Sequence, residues 1–392
     1  MTRELRHRWS WSGVIFLLLA GAVVERPGFG QARDATEKLI AELTNANGAP
    51  GFEDPVRDIL RREWQGLLTD VRADGMGNLL GTLPGASDAP RVLLMAHMDE
   101  VGFLVRYIDD RGYIYINPVG GYFDQSVLTQ RMTILTPQGP VVGYTGFKSG
   151  HVLLPEERSR LVPLQDMFVD IGAKSREEAM ERFGIRPGLP VTYRSEFEVL
   201  NETNRYLARA IDDRALLAVA TEASRQLKSL SHPNAVVVAA TCQEEVGMRG
   251  ASVVYASARP DIVINLEISV AMDFPLMTSP RLSQAALGKG PSIFVFDGSM
   301  IPNNKFVEWT LKVAKEGGIP VQFESVTGYG EDGAALQKSA QGIPSINLGL
   351  PTRYAHSQLG VMDRSDYDQL LKLVVQMIQK LSAADVRSIR EF

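Results

Sequence analysis

Hydrophobic residues occur along the chain in two patterns, which together predict an α/β protein. Four short apolar runs have the length and composition of strands buried on both faces, as in a parallel sheet. These predicted strands are 92–95, 235–241, 261–266 and 344–348. Longer stretches with apolar residues three or four positions apart predict helices. They cover 34–43, 54–68, 208–230, 305–316, 332–340 and 367–381.

A different pattern interrupts this alternation between residues 102 and 195. Short runs of alternating apolar and polar residues are separated there by the turn sequences DDRG, PVGG and TPQG. One short helix is predicted at 176–183. We therefore predict a small inserted β-rich domain at 102–195. It divides the domain that carries the candidate catalytic residues into two parts, 33–101 and 196–392.

The N-terminal residues 1–32 have the layout of a secretory signal peptide. Three arginines precede an apolar stretch at 13–24, and small residues lie at the positions that determine cleavage, so cleavage is expected after Ala32. The apolar stretch is shorter than the roughly 18 residues of a spanning helix. We expect an exported protein, periplasmic or secreted, with no stable membrane span once the leader is removed. An uncleaved N-terminal membrane anchor is the alternative.

The charge and composition of the chain exclude several classes of protein. Its 392 residues carry 41 Lys and Arg against 46 Asp and Glu, a net charge of −5. Without a basic run, nucleic acid is not an expected partner. The single cysteine, Cys242, has no partner for an internal disulfide. Because the whole chain has five histidines, a histidine-based site has few residues to draw on.

The predicted strands end in residues that bind metals or transfer protons. His97 and Asp99 follow the first strand, and because side chains alternate along extended backbone they point to the same side. A carboxylate that accepts the second N–H of a ligating imidazole fixes its tautomer, so Asp99 suits the role of partner to His97. Other strand ends and one helix start supply Glu244, Glu245, Glu267, His356, Asp212 and Asp213. The carboxyl ends of parallel strands converge, so these groups are expected to share one site.

Each of these residues also has a simpler explanation. Asp212 or Asp213 would be an ordinary N-cap of the helix that follows, and the acids at strand ends would be solvated. Clustered together, however, the acids would oppose one another's ionisation. Two divalent cations would balance the four negative charges of Asp212, Glu244, Glu245 and Glu267. Nitrogen and oxygen donors without a thiolate suit Zn²⁺, Co²⁺ or Mn²⁺.

Five motifs make the prediction more specific. They are AHMDEVGF, AIDDR, QEEVGMRGA, NLEISVAMD and PTRYAHS. In this order and spacing the chain resembles the tetrahedral (TET-type), glutamyl and deblocking aminopeptidases, dinuclear metallopeptidases of the zinc-exopeptidase superfamily. Some members of that family have carried an endoglucanase label. The resemblance implies a phosphorylase/hydrolase-like α/β domain, with a mixed sheet flanked by helices, interrupted by a small β-barrel domain used in assembly.

The resemblance also implies a role for each site residue. The implied ligands of one ion are His97, Asp212 and Glu267, and those of the other are Glu245, His356 and the bridging Asp212. Glu244 is implied as the general base and Asp99 as the partner of His97. The implied cofactors are two divalent metal ions per subunit, zinc or cobalt, with manganese also suitable. The implied activity is removal of N-terminal residues from peptides by a metal-activated water, in a homo-oligomer that is a dimer or a dodecamer.

Departures from the family pattern lie outside the implied ligands. Where relatives have Gly-Thr-Asp-Ala, this chain has Gly-Glu-Asp-Gly at 330–333, and Gly360 replaces an acid found four residues after the last histidine. Neither position is an implied ligand, so the chemistry is expected to survive. Both positions bear on substrate preference and assembly. The apparent export leader is a third departure from a mostly cytoplasmic family.

Other functions are compatible with parts of this pattern. A deacylase or amidohydrolase acting on a non-peptide amide would use the same dinuclear site, because a site does not fix its substrate. A catalytically silent binding domain is disfavoured by the presence of every ligand and the base. A glycosidase would leave His97 and His356 without a role. The remaining loop histidine, His151, is expected to be peripheral.

Overall fold

The central element of the structure is a mixed sheet. This computed structural model describes residues 33–87, 90–275, 277 and 285–391, and eleven strands of that part of the chain form the sheet. Its main path, from edge to edge, is β1 (Thr69–Ala73), β2 (Leu79–Leu83), β12 (Ala235–Thr241), β3 (Arg91–His97), β13 (Ile262–Val270), β16 (Ser345–Arg353), β17 (Gly360–Asp363), β11 (Arg205–Ala208) and β10 (Glu198–Val199). The other two strands, which join beside β16, are β14 (Ser292–Phe296) and β15 (Gln322–Ser325).

Four strands at the centre of the sheet are parallel neighbours: β12, β3, β13 and β16. Thr241 at the end of β12 pairs in register with His97 at the end of β3. Every residue of β12 is buried, and so is every residue of β3 after Arg91. Such apolar strands suit a position covered on both faces. Their carboxyl ends therefore lie at one edge of the sheet, where ligands bind in folds of this kind.

Helices cover both faces of the sheet. In the described residues they are α1 (Ala35–Asn45), α2 (Asp54–Trp64), α3 (Ile211–Leu227), α4 (Ala251–Ala258), α5 (Asn304–Gly317), α6 (Asp332–Gln337), α7 (Arg364–Lys380) and α8 (Ala383–Arg390). Alternate residues of β3 serve the two faces. Val92 and Leu94 share a core with α1, α2, α3, α5 and α7, whereas Leu93 and Met95 pack with α4 and α6. The sheet is thus buried between two helical layers.

A smaller closed barrel is inserted between β3 and β10. Its strands within the described chain are β4 (Gly102–Ile108), β5 (Ile114–Val119), β6 (Arg131–Thr136), β7 (Gly139–Gly146), β8 (Phe168–Asp170) and β9 (Pro190–Tyr193). Apolar side chains such as Phe103, Ile134 and Val191 form a core of its own. The short helix predicted at 176–183 is a π-helical turn, Glu178–Arg182.

The predicted fold class is confirmed: the chain is α/β, with a mixed sheet flanked by helices and a small inserted β-barrel. The exact domain bounds at 33–101, 102–195 and 196–392 stay a prediction. The leader predicted at 1–32 lies outside the described residues. Among the helices that the structure describes, none combines the length and the apolar character needed to cross a membrane.

Candidate functional site

Two groups of potential metal ligands meet at the carboxyl edge of the sheet. In each group one donor atom per residue lies within 4.8 Å of the others. The first group is His97, Asp212 and Glu267, and the second is Asp212, Glu245 and His356. Asp212 belongs to both. These are the five residues that the sequence analysis selected as ligands.

The first group is assembled by two parallel strands and a helix start. His97 ends β3, and its Nε2 lies 2.9 Å from Asp212 Oδ1 and 3.8 Å from Glu267 Oε2. Glu267 lies within β13, the strand beside β3. The backbone N–H of His97 donates to Asp213 Oδ2 at 3.1 Å, which ties the strand end to the first turn of α3. Asp213 therefore has a positioning contact rather than a place among the candidate ligands.

The second group uses the other oxygen of Asp212. His356 Nε2 lies 3.2 Å from Asp212 Oδ2 and 3.5 Å from Glu245 Oε2. His356 follows β16, and Glu245 lies just beyond the end of β12. Each oxygen of the single Asp212 carboxylate thus faces one imidazole. Of the described residues, Asp212 is therefore the one that could contact a cation in either group.

Asp99 contacts residues of both ligand groups without belonging to either group. His97 Nδ1 lies 3.0 Å from the backbone carbonyl of Asp99 and 3.6 Å from its carboxylate Oδ1. The same carboxylate accepts the backbone N–H groups of Glu244 and Glu245, at 2.9 and 3.0 Å. From the sequence, Asp99 is expected to contact His97, but nothing in the sequence indicates the two backbone N–H donors. Asp99 therefore connects the end of β3 to the segment that carries both glutamates.

Burial and mutual repulsion perturb the acids of the site. Burial raises the pKa of Glu245 to about 7 and the pKa values of Glu244 and Glu267 well above their usual range, and neighbouring carboxylates add to each shift. Against the effect of burial, hydrogen bonds with His356 and His97 lower the pKa of Asp212. Without a nearby positive charge, clustered buried acids resist ionisation. Such a cluster is therefore expected where bound cations supply the positive charge.

The donor set fits divalent cations. Glu245 Oε1 is buried and has no hydrogen-bond partner among the described residues. An unpaired buried carboxylate oxygen is costly unless a cation or a donor meets it. The five candidate ligands offer imidazole nitrogens and carboxylate oxygens, and the one thiol of the chain, Cys242, bonds instead to Met76 and Asn78. This chemistry suits Zn²⁺, Co²⁺ or Mn²⁺.

The two groups border a cavity of about 220 Å³. Glu244, 9% exposed, lies in its wall beside Glu245. The lining residues that the sequence analysis did not select are Gly121, Gly247, Met248, Gly328, Tyr329 and Gly330. Gly121 comes from the barrel, so both parts of the fold border the cavity. The lone His151 is exposed and belongs to neither ligand group.

Two of the three departures from the family pattern lie in the described part of the chain, at Glu331 and Gly360. Glu331 is completely buried before α6, and neither carboxylate oxygen has a hydrogen-bond partner within the described chain. Burial raises the pKa of this carboxyl well above its usual range, with added repulsion from Asp297. At Gly360 a Cβ would lie 3.2 Å from Thr352 Cγ2 and 3.3 Å from Ile211 Cδ1, so these neighbours would have to move slightly to admit any side chain here.

Known proteins resemble this chain in both sequence and fold. A lysyl aminopeptidase from Pyrococcus furiosus is 31% identical over 89% of this chain and 98% of its own length. The crystal structure of a TET aminopeptidase from a marine sediment archaeon, Thaumarchaeota archaeon SCGC AB-539-E09, is 36% identical with a TM-score of 0.87, over 91% of this chain and all of that one. The TET1 peptidase of Pyrococcus horikoshii, which assembles into a tetrahedron or a large octahedral shell, is 29% identical with a TM-score of 0.80, over 88% of this chain and all of that one.

The prediction of an exported or membrane-anchored protein is wrong. Two solved TET peptidases align over their whole length with 91% and 88% of this chain, so the proteins that the chain resembles are TET peptidases and not exported or anchored proteins. The apolar stretch at 13–24 that motivated the prediction lies outside the described residues. A short apolar stretch after a few arginines is a weak pattern, because its length and flanks alone distinguish a leader from other N-terminal sequence.

A family model gives the most direct comparison. Residues 77–373 match the model described as M42 glutamyl aminopeptidase. This range covers more than half of the chain and contains every candidate site residue, from His97 to His356. Membership of this metallopeptidase family implies divalent metal ions, which the donor set described above fits. The chain therefore belongs to the M42 glutamyl aminopeptidase family and is a peptide hydrolase of the exopeptidase type.

Proposed function

We propose that the protein is an aminopeptidase that removes N-terminal residues from peptides with the help of two divalent metal ions per subunit. The observation that carries this proposal is the position of Asp212, whose two oxygens face His97 and His356 at 2.9 and 3.2 Å. One carboxylate shared by two ligand groups is the hallmark of a dinuclear site. Family membership supports the peptide substrate.

The ligand groups divide the site between the two ions. The residues that would hold the first ion are His97, Asp212 and Glu267, and those that would hold the second are Asp212, Glu245 and His356. Zinc or cobalt is the expected metal, and manganese is compatible with the same donors. Such ions, when bound, polarise a scissile carbonyl and lower the pKa of a water molecule toward neutrality.

Glu244 would transfer the proton. Its side chain lies in the cavity wall next to the ligand Glu245, and the backbone N–H of Glu244 is held by Asp99. Burial and neighbouring acids raise the pKa of Glu244, and the positive charge of bound cations would oppose that shift, so the carboxylate would be ionised and able to accept a proton. It would take the proton from the hydrolytic water and return it to the leaving amine, as general base and then general acid.

The protein is also proposed to act as a homo-oligomer through its barrel, residues 102–195. The barrel carries several exposed apolar side chains, including Phe123 at 61%, Val142 at 47% and Tyr144 at 46% exposure. Exposed apolar side chains grouped on one small domain are typical of a surface that is covered in an assembly. The assembly of the TET1 peptidase supports this proposal. A dimer or a dodecamer is the expected state.

A substrate panel tests the proposed function. Aminoacyl anilides, N-acyl amino acids and a β-glucan would be offered to the zinc- or cobalt-loaded protein and to the chelated protein. The proposal predicts hydrolysis of the anilides only, and only with metal. Preferred hydrolysis of the acyl amino acids would instead indicate a deacylase, and release of sugar would indicate a glycosidase.

A further inference from the structure

The two histidines of the site are held in different ways. The His97 side chain is 2% exposed, and its Nδ1 faces the carbonyl of Asp99, two residues further along the chain. The His356 side chain is 35% exposed. Packing therefore fixes the ring of His97 far more than that of His356. A hydrogen bond to Nδ1 is correspondingly more important for the orientation of His356.

That hydrogen bond comes from the barrel. His356 Nδ1 lies 2.5 Å from the backbone carbonyl oxygen of Gly121, which follows the barrel strand β5 and is 235 residues away in sequence. A carbonyl only accepts, so Nδ1 carries the proton and donates it. In a neutral imidazole the lone pair is then on Nε2. That nitrogen is the one that faces Asp212 and Glu245.

The barrel holds the Gly121 carbonyl firmly in place. Gly120 has a φ of +98°, in the region that favours glycine, and a Cβ at this position would lie 2.7 Å from Val101 Cγ1. On the other side of Gly121, the ring of Tyr122 packs against Phe103 with 4.7 Å between ring centroids. The residues on both sides of the acceptor are thus fixed against the start of the barrel.

The segment that carries His356 needs such support. Tyr354 and His356 both have positive φ values, 61° and 56°, which are unfavourable for residues with a side chain. A second contact from beyond the last barrel strand reaches the same segment, since Ser195 Oγ donates to the carbonyl of Gln358 at 3.0 Å. Contacts from the barrel side therefore hold this segment at two points.

We propose that the Gly121 carbonyl is a positioning group for His356, through which the barrel completes the second metal site while the sheet completes the first without it. This inference rests on the proposed dinuclear function. The two sites would then depend differently on the barrel. A disturbance of the barrel loop would weaken the binding of one ion and leave the binding of the other unchanged. Loss of a hydrogen-bonding partner behind a ligating histidine typically lowers metal affinity by about 10–100-fold.

Gly120→Ala is the test variant, because its methyl group would collide with Val101 and displace the neighbouring carbonyl. Gly139→Ala is the matched control. Gly139 also has a positive φ, +122°, in the same barrel, but a Cβ there would have no atom within 4 Å. Both variants lose the same backbone freedom. They differ in whether the loop that carries Gly121 must move.

Zinc titration of the metal-free proteins against a chromophoric chelator gives the affinities of both steps. The inference predicts that Gly120→Ala weakens one step by about 10–100-fold and leaves the other step, and both steps of Gly139→Ala, at wild-type values. Equal affinities in all three proteins would overturn it, and so would equal loss at both steps of Gly120→Ala. A wild type that binds fewer than two ions, or that hydrolyses no aminoacyl anilide, would instead overturn the proposed function.

A crystal structure of the zinc-loaded wild type tests the same inference without a variant, and it decides the matter if Gly120→Ala does not fold. The inference predicts that His356 binds zinc through Nε2 while Nδ1 stays within hydrogen-bond distance of the Gly121 carbonyl. Zinc bound through Nδ1, or an Nδ1 bonded to another acceptor, would overturn it.

Discussion

The carboxylate of Asp99 accepts a hydrogen bond from the backbone N–H of Glu244, with 2.9 Å between Oδ1 and the nitrogen. Its second oxygen accepts the N–H of Glu245 in the same way. Because Asp99 follows β3 and the glutamates follow β12, one buried side chain joins two parallel strand ends. The proposed base and a proposed ligand therefore take their positions from a residue that belongs to neither candidate ligand group.

Asp99→Asn tests this positioning role. The amide of Asn offers one acceptor oxygen, and its NH₂ group would face the N–H of either Glu244 or Glu245. We expect kcat to fall by about 10–100-fold, because the segment that carries both glutamates loses a charge-assisted hydrogen bond. Steady-state kinetics on an aminoacyl anilide give the value.

Asp109→Asn is the matched control for Asp99→Asn. Asp109 also accepts two backbone N–H groups, from Arg111 at 3.0 Å and Tyr113 at 2.9 Å, but in a barrel turn. We expect this variant to keep the wild-type kcat. If both variants keep it, the hydrogen bonds of Asp99 have no part in catalysis.

Removal of metal should cost both activity and stability. Without cations, the acids around Asp212 repel one another in a buried site, and burial already raises the pKa of Glu245 to about 7. A ligand at 100 times its Kd stabilises the folded state by about 2.7 kcal/mol, so chelation should lower the Tm by several degrees. Zn²⁺ or Co²⁺ should restore both properties. Full turnover in a demonstrably metal-free sample would contradict this prediction.

Deletion of residues 102–195, with a short linker in their place, should lower the number of subunits in the oligomer. The reason is that the exposed apolar side chains of the barrel, such as Phe123 and Tyr144, leave with it. Light scattering gives the mass, and circular dichroism checks that the remaining α/β domain has folded. A folded deletion variant with the same number of subunits would show that other surfaces form the assembly.

Cys242 should be nearly inert toward alkylation. The thiol is completely buried and donates to the carbonyl of Met76 at 3.1 Å, and burial raises its pKa to about 12. The reactive thiolate is therefore scarce at pH 8 and increases only as the pH approaches that value. Iodoacetamide should label the unfolded protein completely, while the native protein stays unlabelled over the same period. Rapid stoichiometric labelling of native protein at pH 8 would contradict the burial of this thiol.

The sequence predicted which candidate residues lie close together, because their chemistry coincides with the fold pattern. His97 follows a continuous apolar run, and such a run in an α/β chain marks a buried strand whose carboxyl end faces ligands. The same reasoning grouped Glu245, Glu267 and His356 with His97, although β13 continues beyond Glu267 to Val270. In an α/β fold the hydrophobic pattern indicates parallel strands, whose carboxyl ends lie at the same edge of the sheet. This was enough to group residues that are far apart in sequence.

Contacts made by the backbone could not be predicted in this way. The Gly121 carbonyl has no side-chain signature, and its partner His356 is 235 residues away.

Helix α8 was missed although its start carries a capping box formed by Ser382 and Asp385. The short length of α8, eight residues, made its hydrophobic pattern weak beside the longer α7.

Glu244 and Glu245 are adjacent and chemically identical, and metal content measured together with kcat distinguishes the proposed base from the proposed ligand. Glu244→Gln keeps the size of the side chain but removes its capacity to accept a proton. It should therefore retain two ions per subunit while kcat falls by roughly 10²-fold or more. Glu245→Gln replaces an anionic ligand with a neutral one, so the second ion should bind more weakly and excess metal should restore part of the activity. Loss of an ion from Glu244→Gln, with two ions retained by Glu245→Gln, would reverse the two roles.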